Sequence, residues 1–475
     1  MSGRLHSLLS WSSANNIHID PRIHLVDDPH TGIAIYADEF IPPNNTLVSI
    51  PKSAILSVRA CSAAERISFV PYGHDAQLAL ALALHIELLR ESKSRWSGYL
   101  QSLPQELVPI AFFWGMDKSS PSMDSFEAKE WLIGTGIEKE LLHEGGSALL
   151  DEITAYYETT AYPLISALAL ASTLHGFLHA YSLVSSRAFL VDAYHGLSMV
   201  PIADAFNHTT DNNVHLESNF DVCPTCGSLA ECPHDRDDQV VIVQSDPLSS
   251  SISFSATTYS DVDTCDMVSV RAIESSTEIF NTYGSKLGNA ALLVRYGFAL
   301  EGNENDFISW DLAEILNLAA PQSIHDGLNI PAISPVAFAA LFKSCMSMWT
   351  SSRHSFAMDD SSLVYRPDCD SKTERSWRYE GLCSLLRINS DAQISIQLWL
   401  CAVLCTIIQN DFLTRSELTA LLQTNDASLL NRLVLFFGEL TELQLRVERV
   451  VSSSSDGEFA YDTRGKDPMI NGTVR

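Results

Sequence analysis

Along residues 22–58, short β-prone runs such as Ile33-Ala34-Ile35-Tyr36 and Thr46-Leu47-Val48-Ser49-Ile50 alternate with turn residues at Pro42-Pro43-Asn44-Asn45, which predicts a small β-unit. The pattern changes at residues 75–90 to a Leu/Ala-rich stretch of high helix propensity, opening at Asp75 as its predicted cap. Helical character continues with interruptions through 126–134, 148–158 and 163–184. Strand patterns return over 239–282, in Val240-Val241-Ile242-Val243, Ser251-Ile252-Ser253-Phe254, Met267-Val268-Ser269-Val270 and Glu278-Ile279-Phe280-Asn281-Thr282. Beyond Phe298 the stretches 311–318, 334–348, 391–409, 415–423 and 427–450 carry helical period or propensity. Residues 351–376, rich in Ser, Asp and Arg, read as a mobile loop, and residues 452–475 as a disordered tail. The predicted class is α+β: a β-fold over 20–300 with a helical insertion at about 65–184, then an all-α C-terminal domain over 301–451.

Composition narrows the setting. With 475 residues, 46% of them hydrophobic, the chain can bury the cores of two or three domains. Its longest apolar runs, 78–89 and 398–408, fall short of the roughly 18 residues that suggest a membrane span, and the first contains His85 and Glu87; both read as buried helices. The first residues lack an apolar core followed by a cleavage site, so an intracellular protein, nuclear or cytoplasmic, is expected, with no membrane association and a monomeric state. Against 30 Lys and Arg stand 58 Asp and Glu, a formal net charge of −28. That balance disfavours direct binding to a nucleic-acid backbone and would draw in a basic protein segment, although such charge can also serve solubility alone.

Candidate chemistry gathers in Pro201-Ile202-Ala203-Asp204-Ala205-Phe206-Asn207-His208, Glu278-Ile279-Phe280-Asn281-Thr282-Tyr283-Gly284 and Arg295-Tyr296-Gly297-Phe298. Asp204, His208, Asp211, His215 and Glu217 also invite a metal reading, but their spacing puts them on no common helical face and matches no ligand pattern. Upstream stand Gly32-Ile33-Ala34-Ile35-Tyr36-Ala37, Trp96-Ser97-Gly98-Tyr99-Leu100 with Leu103-Pro104, and Ser185-Ser186-Arg187-Ala188-Phe189. In this order the motifs resemble the SET-domain protein lysine methyltransferases of the Rubisco large-subunit methyltransferase group, which have a split SET domain and a helical substrate-binding domain.

The resemblance implies a protein-lysine N-methyltransferase that uses S-adenosylmethionine on a basic protein such as a ribosomal or chromatin component. A histidine N-methyltransferase and a catalytically silent interaction module are the competing readings. By the same resemblance Thr31, Gly32 and Ile33 form the turn whose backbone nears the cofactor, with Ala34 where the family usually has a second glycine. Arg187 and Phe189 fall at positions contacting cofactor and lysine, Asn207 and His208 at the pair holding the cofactor, and Tyr283 at the catalytic tyrosine. Tyr296 and Phe298 complete an aromatic channel beside the cofactor, and Arg187, Asp204 and Tyr296 border the substrate. As residues alone, Phe298 also reads as a core aromatic and Asp204 as a structural group.

Among ten cysteines, Cys223, Cys226 and Cys232 crowd together with His234 in a polar segment, the possible insert 220–238. Cys-x-x-Cys with a glycine turn is half of a zinc site, and three sulfurs with one imidazole fill a tetrahedron, so a structural zinc is one reading. The tight Cys232-Pro233-His234 spacing departs from a standard finger, and a redox pair at Cys223 and Cys226 is the other.

Overall fold

The computed structural model describes residues 3–28, 32–115, 123–235, 263–310, 312, 314, 338–345, 386–389 and 394–409. The chain divides into two compact units, Met1–Asp306 and Phe307–Arg475. The predicted strands at 240–243 and 251–254, the loop 351–376, the helices at 415–423 and 427–450 and the tail lie outside the described residues, as do most of 311–318 and the two ends of 334–348.

The first unit opens with α1 (Gly3–Ala14), β1 (His18–Ile19), β2 (Ile23–Asp28), β3 (Gly32–Ala37), β4 (Thr46–Pro51) and β5 (Leu56–Ser57). A run of helices follows: α2 (His74–Arg90), α3 (Ser97–Leu100), α4 (Met123–Trp131), α5 (Gly136–His143), α6 (Gly146–Tyr156), α7 (Tyr162–Ala167) and α8 (Leu174–Arg187). Strands resume with β6 (Ala188–Leu190), β7 (Leu197–Met199), β8 (Val214–Ser218) and β9 (Thr264–Ser269), and α9 (Asn289–Arg295) closes the unit. The strands form three antiparallel sheets, β1-β4-β9-β8, β5-β7-β6 and the hairpin β2-β3. The helices thus interrupt a β-fold whose later strands pair back with its earlier ones.

One core joins these layers, and α2 runs through it buried on nearly every side, because its Leu/Ala sequence offers no polar face. Its two buried polar residues are satisfied locally. Glu87 accepts the Ser62 N–H at 2.7 Å and the Ser94 hydroxyl at 2.6 Å, while His85 Nε2 lies 2.8 Å from Ser172 Oγ. Burial pulls the His85 pKa down to about 4, so the ring stays neutral. Asp75 does not cap α2. Gly73 stands at the cap position without a side-chain bond, and Asp75 lies within the first turn, where a carboxylate still favours the helix dipole.

The sequence reading passed over α1, although Leu5 and Leu8 recur at helical spacing and both are buried. It lies across α3 at Gly98, where a Cβ would meet Trp11 Cβ at 2.4 Å and the Ser7 carbonyl at 2.9 Å. Gly98→Ala is therefore expected to cost roughly 1–3 kcal/mol, the range for overpacking, measurable as a lower denaturation midpoint. An unchanged midpoint would show that α1 yields freely.

The expected strand Glu278 to Thr282 is absent as a continuous ladder. Ile279 N–H bonds Ile35 O at 2.8 Å on one side and Asn281 N–H bonds Asn207 O at 2.8 Å on the other, so the segment makes only isolated bridges, Tyr36 to Glu278 and His208 to Asn281. In the second unit the all-α expectation is corrected. An antiparallel pair, β10 (Phe307–Trp310) with β11 (Leu386–Asn389), stands beside a helix at Ile396–Gln409, and its aromatic and branched residues suit a pleated surface. No helix among the described residues is long and apolar enough to cross a membrane.

Candidate active site

The end of α8 delivers Arg187, and the turn 201–206 faces it. Ile202 is fully buried with φ of +70°, a left-handed backbone that a β-branched residue adopts only under strain, and it directs the chain into the short 3-10 turn Ala203–Ala205. Asp204, 8% exposed, accepts the Tyr99 hydroxyl at 2.9 Å on Oδ2, while Arg187 Nη1 donates to the Asp204 carbonyl at 2.9 Å and lies 3.6 Å from Oδ2. Burial raises the Asp204 carboxyl despite Arg187, and raises Tyr99 well above an ordinary phenol. Arg187 and Asp204 line a small cleft with Gly32, Ile33, Arg4 and Leu8. Gly32 has φ of +84° and open space where a Cβ would stand, so its backbone can be approached closely.

Next along the chain, 207–209 lies beside 281–283. Thr209 N–H bonds Asn281 O at 3.0 Å, and the Tyr283 N–H donates to His208 Nδ1 at 3.1 Å. An Nδ1 that accepts leaves the neutral ring's proton on Nε2, and Nε2 is buried without a hydrogen-bond partner. Burial lowers the His208 pKa and keeps the ring in that neutral form. A buried donor without an acceptor is costly, so this atom fits a polar group of a bound ligand.

His208 stacks on Tyr283 at 5.1 Å between ring centroids, Tyr283 meets Tyr296 at 4.9 Å, and Phe298 lies 6.1 Å from both His208 and Tyr283. The Tyr283 hydroxyl donates to Phe206 O at 3.2 Å, and the Tyr296 hydroxyl to Tyr283 O at 3.3 Å. Burial pushes Tyr283 up to about 12, with the charges of Arg187 and Asp204 acting on it in opposite directions. Half-buried Phe298 closes this cluster.

The structure brings Gly32, Ile33, Arg187 and Asp204 to one cleft, and His208, Tyr283, Tyr296 and Phe298 to one aromatic group. It treats others differently. Thr31 lies outside the described residues. Ala34 is buried within β3 opposite Val26 and so belongs to the strand, not to a loop. Phe189 packs against the main core and, among the described residues, makes no ring contact with the aromatic group. The Asn207 amide donates to Glu278 Oε1 at 2.7 Å, and the Tyr36 hydroxyl lies 3.5 Å from Oε2 of the same carboxylate. Sequence reasoning quoted Tyr99 and Glu278 within motifs without giving them tasks, and it missed Arg4 and Leu8, whose signal was the helical spacing of α1.

No protein-family model matches the chain. By sequence it is similar to ribosomal lysine N-methyltransferase 3 of Saccharomyces cerevisiae, 25% identical over 362 residues that cover 64% of this chain and 63% of that protein. The N-lysine methyltransferase SETD6 of Bos taurus is 25% identical over 340 residues, covering 69% and 63% respectively. The chain therefore spans less than two thirds of the length of these relatives. Among solved structures, the SET domain of LSMT bound to lysine and AdoHcy superposes with a TM-score of 0.54 at 15% identity, over 97% of this chain and 83% of that one. The superposition shows that the chain has the fold of a SET domain, and by sequence it is similar to lysine N-methyltransferases.

Proposed function

We propose that the chain is an S-adenosylmethionine-dependent protein-lysine N-methyltransferase acting on a basic protein, of which ribosomal and chromatin proteins are the fitting classes. One observation carries this reading: the aromatic group of buried His208 and half-buried Tyr283, Tyr296 and Phe298 beside the cleft of Gly32, Arg187 and Asp204. The relatives' names, which specify lysine methylation, support it, and the net charge of −28 suits a basic partner. The cofactor supplies an electrophilic methyl on a sulfonium. His208 Nε2 and the Gly32 backbone suit its polar groups, while Arg187, although engaged with Asp204, keeps further donors for a carboxylate.

The chain's own task is to present a neutral amine in line with that methyl. A free lysine, with a pKa of about 10.4, is mostly charged at neutral pH, and a channel walled by aromatic rings disfavours the charged form. Tyr283 then orients the nitrogen lone pair, and Phe206 O, to which its hydroxyl is bonded, fixes that hydroxyl. Docking of the substrate protein falls to the domain over 301–451, and the nucleus or cytoplasm is the fitting compartment.

Calorimetry should show one molecule of S-adenosylmethionine bound per chain. Labelled methyl transfer to basic cellular proteins, followed by mass spectrometry, should find methyl-lysine. Methyl-histidine would replace the substrate assignment, and a folded chain that binds no cofactor would return the reading to a silent interaction module.

A further inference from the structure

We propose that Cys223, Cys226, Cys232 and His234 hold one zinc ion, and that this closed site folds the segment after β8 and pins it to the SET unit without joining the chemistry. The three sulfurs and His234 Nδ1 all lie within 4.8 Å of one another. Cys223 Sγ and Cys232 Sγ stand 3.8 and 3.6 Å from Nδ1. A tetrahedral ion with Zn–S of about 2.3 Å and Zn–N of about 2.0 Å requires a sulfur-to-nitrogen separation of about 3.5 Å. The donors converge to the spacing a metal would impose.

The backbone supports the same conclusion. Gly227 N–H bonds Cys223 O at 2.8 Å, Cys223 N–H bonds Ser228 O at 3.0 Å, and Gly227 takes φ of +73°, so the chain turns tightly enough to return the second thiol beside the first. Residues 227–235 form no α-helix, only the 3-10 turn Pro233–Asp235, so the helix start that activates a redox cysteine pair does not follow Cys226. Between Asn219 and Asp235 only Val222 and Cys223 are buried apolar residues. That is too little to order the segment through its own core, and metal binding can supply what the core does not.

This knuckle rests on a platform built by the β-fold. A Cβ at Gly227 would meet the Tyr194 ring at 2.9 Å, so the turn lies flat on that ring. The Arg59 guanidinium sits over Tyr194 at 4.5 Å and Phe69 at 4.1 Å, and Nη1 donates to Thr225 O at 3.2 Å. At the base, Lys52 Nζ donates to Asn219 O at 3.0 Å and pairs with Asp263 Oδ1 at 2.9 Å, joining the residues on either side of the long connection between β8 and β9. Four protein donors leave no open position for substrate, as in structural zinc sites. Asn213, which accepts the Phe280 N–H through its side chain, precedes Asn219 by six residues, or roughly 20 Å of strand at about 3.4 Å each. The ion therefore stands at the far end of β8 from His208.

Elemental analysis of the full chain, purified without chelator, should find close to one zinc per molecule. Cys226→Ser and His234→Ala should each lower this at least tenfold, whereas Cys405→Ser should retain it. Cobalt loading should give the intense tetrahedral visible band and the thiolate charge-transfer band of a three-sulfur, one-nitrogen site. This readout uses the unaltered chain and so stands even if a variant misfolds. A zinc-free wild-type chain that takes up no cobalt, an octahedral cobalt spectrum, a Cys223–Cys226 disulfide in the intact mass, or full zinc in folded Cys226→Ser would each overturn the proposal. None of these readouts requires methyl transfer.

Discussion

Tyr283→Phe is expected to leave the fold and the affinity for S-adenosylmethionine close to wild type and to slow methyl transfer by roughly 10²–10³-fold, the range seen when one positioned polar group is removed from a transition-state site. The substitution keeps the ring, and the ring makes the contacts with His208, Tyr296 and Phe298. What disappears is the hydroxyl bonded to Phe206 O. Because burial lifts its pKa to about 12, that hydroxyl is neutral throughout the working range and acts by orientation, not as a base. The pH profile of the residual activity should therefore keep the wild-type shape at a lower level, with no inflection lost near neutrality. Single-turnover rates alongside calorimetry separate the two effects, and a variant with full activity would remove Tyr283 from the reaction.

The second large effect concerns stability. Lys52→Met should destabilise the first unit by about 3–5 kcal/mol, as expected when one partner of a buried ion pair is lost. Lys52 is 3% exposed, and its Nζ lies 2.7 Å from Oδ2 of Asp192, which is fully buried. Burial would push the Asp192 carboxyl up, but the His195 ring and N–H together with Lys52 outweigh this and hold it below the usual carboxylate range. A depressed folded pKa contributes stability that is present above the unfolded value, about 3.9, and lost as pH falls through the folded value.

In Lys52→Met the carboxylate loses its cation, so the deficit should be greatest near neutrality and shrink as acid protonates Asp192. Urea unfolding at pH 7 and pH 4 checks the sign. A deficit independent of pH would assign the loss to packing and to the Asn219 tie, leaving the Asp192 charge without a part in it. Replacing Asp192 by Asn as well should recover part of the loss, since the double variant no longer buries the Asp192 charge without its cation, while Asp263 still lacks its partner.

Much of the site was legible as sequence because its residues sit in short local runs. Asn207 and His208 are adjacent, and Tyr283, Tyr296 and Phe298 fall within sixteen positions of one another, so their order along the chain was itself the signal. What these neighbours do was not legible. Asn207 turns its amide to Glu278 while His208 leaves Nε2 unpartnered, a division set by which side of the 281–283 segment each side chain meets. The missing ladder at 278–282 has a related cause: propensity reports what a segment could pair with, and here two different partners take alternate bonds.

Periodicity likewise marked β3, β4, β9, α2, α6 and α8, because one apolar face or one wholly apolar run leaves a pattern that any packing partner must satisfy. It missed β10 and β11, two short strands separated by 75 residues, where a four-residue run carries too few repeats to stand out. By itself, then, the sequence determined the succession of β and helical blocks in the first unit, the buried character of α2, the motif residues and the four donors at 223–234, since each depends on neighbours in the chain. Only the tertiary structure decided that Tyr99 and Arg187 would meet at Asp204, that α1 would line the cleft, and that Lys52 would join Asp192, Asn219 and Asp263. Those partners lie 17 to 211 residues apart in the sequence. Contacts of that separation are selected by the burial of charge and shape within one packed core, and no local pattern records them.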